Sequence, residues 1–268
     1  DILLGVMHMD VDNEYDVYGS GVTDLANACP EFAVIVAGHG HRSIPHMMIN
    51  DVLVVENKSS GATLSEIHVH LERQLNGKWK VVERTSENLN MKDYEPDPVL
   101  TELLASYDAR AKEDAMTIIG ELRGGNLAPE NEIATLPQPM LQDTALLDFI
   151  NEAQIYYTGA QVSATSLTSM SSQMLEGAIH KCDMASIYTY QNTLYKLEMT
   201  GEQLLRFMEW SAAFFRTWKP GDVTLAFDPS VRFFLYDAFE GVNYELDVSK
   251  EPGHRIRNLT WPNGTPVK

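Results

Sequence analysis

The sequence predicts a mixed fold, α/β and α+β, and three observations support this class. Two hydrophobic runs, residues 2–8 and 34–41, each end in histidine, as expected of parallel strands whose carboxyl ends meet at one sheet edge. Short strands separated by turn residues then continue as far as Asp93, and beyond it strands alternate with helices. The chain is long enough for two domains, each with its own core.

Before Asp93 the remaining predicted elements are strands. Each has the apolar content or the alternation of a strand, and the turn residues Gly61 and Asn76-Gly77 separate them. These predicted strands cover residues 52–56, 64–71 and 79–84.

A helix is predicted over residues 99–116, directly after residues 93–98, whose prolines break the strand pattern. Leu100, Leu103 and Leu104 keep the 3.6-residue period of a helix. The helix is interpreted as a connector between domains. A simple packing helix is the alternative, and the two roles are compatible.

Strands and helices alternate in the rest of the chain. Gly159 is expected to stop one helix, and Thr200 and Gln203 have the spacing of a capping box at the start of another. In order, the predicted elements are a strand over 117–123, a helix over 144–158, a strand over 161–165 and the helix that follows Thr200.

The most informative motif is Gly38-His39-Gly40-His41, at the end of the second apolar run. Glycine lets the backbone turn and come close to an ion, and the two alternating imidazoles can serve one ion or two. His8 ends the first run in the same way. The three histidines therefore predict one wall of a metal site. The alternative is that they are polar residues at strand ends.

The other histidines carry less functional weight. His68 and His70 alternate with apolar residues, so we expect them on one solvated face of a strand. His46, His180 and His254 stand alone and are expected at the surface.

Composition restricts the partners of the chain. Its formal net charge of -18 argues against nucleic-acid polymers and anionic membranes as partners. An anionic mononucleotide remains compatible, because divalent cations reverse the local charge. No apolar run reaches the roughly 18 residues that a membrane span needs. Whether Cys29 and Cys182 pair is left open by the sequence.

Five segments occur in a recognisable order and spacing along the chain. They are Val6-Met7-His8, Gly38-His39-Gly40-His41, residues 141–146 (LQDTAL), residues 187–194 (IYTYQNTL) and residues 241–247 (GVNYELD). Through them the sequence resembles the bacterial 5'-nucleotidase family, and within it the branch of 2',3'-cyclic-nucleotide 2'-phosphodiesterase/3'-nucleotidases. The resemblance runs over essentially the whole chain.

The resemblance implies a domain organisation. Residues 1–92 would be the C-terminal part of a calcineurin-like metallophosphoesterase sandwich, residues 93–116 a linker helix, and residues 117–268 a 5'-nucleotidase C-terminal, substrate-binding domain. The N-terminal part of the metallophosphoesterase domain and the C-terminal end of the second domain are expected to be missing. A second chain would then supply the missing half, or the chain is a fragment.

The resemblance also implies two divalent metal ions, with Mn, Zn, Mg and Ca all left open. His8 and His39 match ligands of one ion, and His41 matches a ligand of the other. The other ligands and the general acid of the family are not found before His8, so no catalytic residue is assigned in this chain. Weak metal binding and slow hydrolysis are expected of it alone.

A neighbouring carboxylate should hold at least one of these imidazoles through its other ring nitrogen. Asp10, Asp12 and Glu14 lie just past His8, but they are interpreted as ordinary solvated acids.

For the nucleoside, the resemblance assigns Tyr190 and Asn192, which match an aromatic-x-Asn element of the family. A flat ring stacks on a base with about 1–3 kcal/mol, and an amide reads a base edge. The alternative is that Tyr188 and Tyr190 are ordinary strand residues. Tyr236 is a further substrate-binding candidate, with Phe239 beside it in sequence.

One departure from the family pattern bears on the substrate. Where 5'-nucleotidases have a Gly-Gly-x-Arg turn, residues 166–172 (SLTSMSS) contain no arginine. The loss of this bidentate phosphate clamp favours the cyclic-phosphodiesterase branch.

The expected function is metal-dependent hydrolysis of a nucleotide or cyclic nucleotide by a 2',3'-cyclic-nucleotide 2'-phosphodiesterase/3'-nucleotidase. The alternatives are a 5'-nucleotidase or nucleotide-sugar hydrolase, and a non-catalytic nucleotide-binding or surface-interaction module. By resemblance, a secreted, periplasmic or cell-wall-attached location is expected.

Overall fold

The computed structural model describes residues 2–14 and 17–268, and the chain divides into two compact units. The first unit ends at Leu104 and the second begins at Ala105, so the division falls within helix α2 (Pro98–Ala115). The domain limits drawn from the sequence, at residues 92 and 116, stay a prediction.

A four-stranded mixed sheet with the strand order β1-β2-β4-β3 forms the base of the first unit. Strands β1 (Leu3–Val6), β2 (Phe32–Ala37) and β4 (Val52–Glu56) run parallel, and β3 (Ile44–Ile49) pairs antiparallel with β4. The predicted parallel pairing of the two runs that end in histidine is confirmed.

The sheet of the first unit is covered on both faces, which is why β2 and β4 read as continuous apolar runs. On one face, Ile35 and Val52 pack with Val22 of helix α1 (Val22–Ala28). On the other face, Val34 and Leu53 pack with apolar side chains of a long ribbon, namely Ile67, Val69 and Val81.

That ribbon consists of the antiparallel strands β5 (Thr63–Arg73) and β6 (Trp79–Asn90). Both are longer than the predicted strands over 64–71 and 79–84. The polar residues after Arg84 give little strand signal of their own, but they pair with β5 as far as Thr63 opposite Asn90. The turn at Gly77 is confirmed, with a φ of +80°.

Helix α2 matches the predicted helix over 99–116 within one residue at each end. None of its residues is buried, and Leu100, Leu103, Leu104 and Tyr107 are all exposed. Within the part of the chain that the structure describes, the packing-helix alternative therefore has no support. The connector role stays a prediction.

The second unit mixes short antiparallel strand pairs with helices, and the mixed fold class is confirmed. The predicted strands and helices are found here with small shifts of their ends. The helices are α3 (Ala145–Thr158), α4 (Lys181–Ile187) and α5 (Gly201–Ala212); the strand pairs are β7 (Ile118–Leu122) with β9 (Gly177–His180), β8 (Ser163–Thr165) with β10 (Ala238–Glu240), and β11 (Asn243–Leu246) with β12 (Ile256–Thr260).

A fully buried arginine stabilises the core of the second unit. The guanidinium of Arg255 donates hydrogen bonds to the carbonyl oxygens of Ala212 (2.6 Å) and Phe215 (2.7 Å), so it satisfies acceptors at the C-terminal end of α5. Burial lowers the pKa of Arg255 from its ordinary value. Among the described residues, no helix has both the length and the apolar character needed to cross a bilayer.

Candidate functional site

Backbone hydrogen bonds continue the β1–β2 pairing beyond the ends of both strands. The Met7 N–H donates to the oxygen of Val36 (2.9 Å), and the Gly38 N–H donates to the oxygen of Met9 (3.0 Å). The two loops therefore run side by side at the carboxyl edge of the sheet, and this register brings His8 next to His39.

The imidazoles of His8 and His39 are in contact. His39 Nδ1 lies 3.3 Å from His8 Nε2, and the ring planes are inclined by 73°. Two nitrogens that bind one tetrahedral ion at 2.0–2.1 Å each lie about 3.3 Å apart. The two rings therefore already have the separation of two ligands of one ion.

A carboxylate holds the opposite side of the His39 ring. Glu14 Oε1 lies 2.7 Å from His39 Nε2, and the Glu14 backbone N–H donates to Ser20 Oγ (2.8 Å). If Nε2 carries the proton, Nδ1 presents its lone pair toward His8, as in metal sites where a carboxylate orients the ligand. The interpretation of Glu14 as an ordinary solvated acid was wrong. It could not have been corrected from the sequence, because the contact depends on an irregular loop.

Arg42, which directly follows the second histidine of the motif, binds a group of acids beside these loops. Its guanidinium pairs with Asp10 and with Asp12 (2.8 Å), and its backbone N–H donates to Glu56 Oε1 (3.4 Å). Asp10 is only 8% exposed, so it too is not the solvated acid that the sequence suggested. The Asp10 carboxylate is engaged by the Arg42 guanidinium.

Glu56, the last residue of β4, is fully buried. Burial raises the pKa of Glu56, and the Arg42 N–H that binds it acts in the opposite direction. Arg42 therefore offsets part of the negative charge of the acidic residues beside these loops.

The glycine after His39 is required by a close backbone approach. A Cβ at Gly40 would lie 2.6 Å from the carboxyl atoms of Asp10, whereas a Cβ at Gly38 would meet nothing nearer than 3.6 Å. The expected role of glycine in close approach is thus found at Gly40, although the neighbour is a carboxylate. His39 and His41 both have positive φ, at +73° and +54°, a strained conformation that is enriched at functional sites.

His41 is the third predicted ligand. It is exposed, and no hydrogen bond joins its ring to His8 or His39. Within residues 2–14 and 17–268, no three His, Cys, Asp or Glu side chains converge closely enough to hold a metal ion. The structure therefore brings together two of the three predicted ligands, and His41 as a ligand stays a prediction.

The predicted nucleoside-binding residues Tyr190 and Asn192 lie in an exposed segment after α4. This segment contains no strand, so the alternative reading of Tyr188 and Tyr190 as strand residues is wrong. Tyr190 is 60% exposed, and the Asn192 backbone N–H donates to the backbone carbonyl oxygen of Tyr190 (2.9 Å). A local backbone turn therefore keeps Tyr190 and Asn192 close in the chain, and the exposed tyrosine side chain is accessible to a stacking partner. Their binding role stays a prediction.

Tyr236 has a different environment. Its ring stacks on Phe214 at 5.5 Å between centroids and meets Phe215 edge-on at 5.0 Å. Burial raises the pKa of the Tyr236 hydroxyl. The neighbouring candidate Phe239 is buried against Phe207. Both rings contribute to packing of the second unit, and base stacking by Tyr236 stays a prediction.

Other predictions about single residues are also resolved. His68 and His70 lie on the solvated face of β5, as expected, and both are exposed. Cys29 and Cys182 are free thiols.

The chain was compared with family models, curated proteins and solved structures, and all three comparisons give related proteins. Residues 123–268 match the family model described as 5'-nucleotidase, C-terminal domain. The whole chain aligns with a 2',3'-cyclic-nucleotide 2'-phosphodiesterase/3'-nucleotidase of Haemophilus influenzae at 24% identity and covers 48% of that protein. A protein of the same name from Yersinia enterocolitica is 34% identical over 100 residues, which are 31% of this chain and 15% of the relative.

Among solved structures, a protein of Staphylococcus aureus assigned as a 5'-nucleotidase matches the whole chain with a TM-score of 0.72 at 21% identity. The chain covers 52% of that structure, and at this identity the likeness shows the fold alone. The chain thus spans about half the length of the relatives it matches over its whole length.

Proposed function

Because the chain belongs to the 5'-nucleotidase family, defined here by its C-terminal domain, we propose that it takes part in metal-dependent hydrolysis of nucleotide phosphate esters. The 2',3'-cyclic-nucleotide 2'-phosphodiesterase/3'-nucleotidase activity is the closest fit. Support comes from the relative of that name that aligns with the whole chain, and from the absence of arginine in residues 166–172. A secreted, periplasmic or cell-wall location is part of the proposal.

The approach of His8 to His39 is the observation that carries this proposal. Their nitrogens, 3.3 Å apart, would hold one divalent ion, and Glu14 would keep the His39 ring in place. When bound, such an ion supplies Lewis acidity toward a phosphoryl oxygen and water that ionises near neutral pH. In the proposal a second ion uses His41.

The donor set fits part of a metal site. Two neutral imidazoles suit Zn²⁺ and related ions, but an ion held by two protein ligands is held weakly. The other ligands of the ion, including a bridging carboxylate, would come from a second chain or from further residues of a longer protein. Slow hydrolysis is therefore the activity proposed for this chain by itself.

For the nucleoside, the proposal uses Tyr190 and Asn192. The exposed ring offers a face to a base, and the Asn192 side chain offers both a donor and an acceptor. Tyr236 is less suited, because its ring faces are already in contact with phenylalanine.

Phosphate release from 2',3'-cyclic AMP and from 3'-AMP, with added Mn²⁺ or Zn²⁺, tests the proposal. We expect metal-dependent turnover that falls at least tenfold in the double variant His8→Asn/His39→Asn and stays unchanged in His254→Asn, an exposed histidine of the second unit. Turnover that survives both the double substitution and metal removal by EDTA would contradict it.

The second candidate is a non-catalytic nucleotide-binding module. It is favoured by the lack, within the described residues, of three side chains that converge on a metal position. Calorimetric titration with the same nucleotides separates the two functions. A binding module shows heat of binding without phosphate release, and Tyr190→Ala abolishes that heat. Tyr195→Ala is the matched control, because Tyr195 is exposed in the same segment.

A further inference from the structure

The outer face of the β5–β6 ribbon presents two histidines that the proposed hydrolytic site does not use. His68 and His70 occupy alternate positions of β5, so their side chains project from the same face. Their side chains are 59% and 61% exposed, while Ile67 and Val69 between and beside them pack toward the sheet.

Each of these imidazoles has a carboxylate at one ring nitrogen. His68 Nε2 lies 2.9 Å from Glu66 Oε1, within hydrogen-bond distance, and His70 Nδ1 lies 3.7 Å from Glu83 Oε2, close enough for an ion pair only. Metal-binding histidines commonly donate one N–H to a carboxylate, which leaves the other nitrogen as the ligand. In the described part of the chain, no hydrogen bond engages the other nitrogen of either ring, Nδ1 of His68 or Nε2 of His70.

The pairing of the two strands adds a local excess of negative charge. Glu66 lies directly opposite Glu87, an arrangement that is unfavourable unless a cation is near. Glu83 lies opposite His70, and the register shifts directly after this pair. Such a bulge increases the local twist of the strand and redirects neighbouring side chains. The carboxylates of Glu66, Glu83 and Glu87 therefore lie on the strand positions around the two imidazoles.

We propose that His68 and His70 chelate one transition-metal ion of the Zn²⁺ or Cu²⁺ type, with Glu66 and Glu83 holding the rings and water completing the coordination. Alternate residues of a strand are separated by about 7 Å along the chain, so binding requires the two exposed side chains to rotate until their free nitrogens are about 3.3 Å apart. With two protein ligands and no third converging side chain among the described residues, the ribbon binds its ion weakly, as expected of any two-ligand site.

The chemistry of the donors determines which ions bind. Imidazole nitrogen suits Zn²⁺, Ni²⁺ and Cu²⁺, and Cu²⁺ binds most tightly of these. Mg²⁺ and Ca²⁺ prefer oxygen ligands. The ribbon is therefore expected to discriminate between these two groups of ions, which a merely acidic surface would not do.

Counting bound Zn²⁺ by equilibrium dialysis tests this site. The unmodified chain should bind about one Zn²⁺ per chain more than the double variant His68→Ala/His70→Ala. His254→Ala is the control for loss of an exposed histidine and should bind as much as the unmodified chain. The pair Glu66→Gln/Glu83→Gln should keep the site with roughly tenfold weaker affinity.

Equal Zn²⁺ counts in the unmodified chain and the double histidine variant would overturn the proposal. So would Mg²⁺ competing with Zn²⁺ at the ribbon, since that indicates an acidic surface alone. Circular dichroism establishes that the variants are folded. Any ion at His8 and His39 is common to all these variants, so the outcome is separate from that of the proposed hydrolytic function.

Discussion

Single residues at the ends of β1 and β2 are held by contacts on two sides. His39 lies between His8 and Glu14, and Gly40 lies against the Asp10 carboxylate, which Val11 N–H and Arg42 hold in place. Because Asp10 cannot easily move aside, the loop that carries His39 has little freedom to shift. The position of the ring therefore depends on the absence of a side chain at residue 40.

Gly40→Ala tests this dependence, with Gly38→Ala as its matched control. A Cβ at Gly40 would lie 2.6 Å from the pinned Asp10 carboxyl, so we expect the loop to move and the Zn²⁺ affinity attributed to His8 and His39 to fall roughly tenfold. Gly38→Ala has room and should keep the affinity. Equal effects of the two substitutions, measured by calorimetric titration in the His68→Ala/His70→Ala background, would count against the account.

Titration of Asp148, in α3, contributes to the pH dependence of stability. Burial, a hydrogen bond with Asp143 and the nearby charges of Asp143, Glu240 and Glu152 raise the pKa of Asp148 to about 6 from 3.8. A raised pKa means that the folded state binds the proton more tightly than the unfolded state. The resulting stabilisation is fully present below about pH 4 and is lost as the pH rises through about 6.

Asp148→Asn should therefore stabilise the protein at pH 7.5, because it removes a charge repelled by its neighbours. We expect an increase in Tm of about 2–4 °C, and no increase at pH 4. Glu245→Gln, at an exposed position, is the control. Thermal unfolding followed by circular dichroism at both pH values gives the measurement, and an increase that is the same at pH 4 would show that charge is not the cause.

At the scale of elements, helix α5 depends on well-defined ends. The Thr200 side chain accepts from the Gln203 N–H (3.2 Å), and the Gln203 side chain accepts from the Thr200 N–H (2.8 Å). At the other end, Arg255 binds the carbonyl oxygens of Ala212 and Phe215. Both ends of the helix are thus supplied with hydrogen-bond partners from side chains.

Removing the N-terminal cap should weaken the second unit. Thr200→Ala is expected to lower the free energy of unfolding by about 1 kcal/mol. Thr200→Ser should lower it much less, because the serine hydroxyl oxygen can accept the same hydrogen bond. Urea unfolding followed by tryptophan fluorescence, to which Trp210 within α5 contributes, measures the change. If the alanine and serine variants have the same free energy of unfolding, the cap does not stabilise the helix.

How far the sequence predicted these elements depends on whether their signals are local. Gly159 ends α3 with a φ of +60°, and the capping box starts α5, as the residue patterns indicated. The second half of β6 was missed, because its polar residues form a strand only through pairing with β5. The contact of Glu14 with His39 was missed for a similar reason, since it requires a loop whose shape no periodicity encodes.

The whole molecule combines a net charge of -18 with the cation site proposed at His8 and His39. Its fold class and family were predictable, since segments along the whole chain carry the resemblance. Of the three histidines predicted to converge, the described residues bring His8 and His39 together, and His41 as a ligand stays a prediction. The central claim is therefore narrower: His8 and His39 together hold one divalent ion, with Glu14 in support.

Titration of Mn²⁺, followed by the electron paramagnetic resonance signal of the free ion, tests this claim most directly. The account predicts that His8→Ala/His39→Ala lowers the Mn²⁺ affinity at least tenfold, that Glu14→Gln lowers it roughly tenfold, and that His68→Ala/His70→Ala leaves it unchanged. An Mn²⁺ affinity that is the same in the unmodified chain and in His8→Ala/His39→Ala would contradict it.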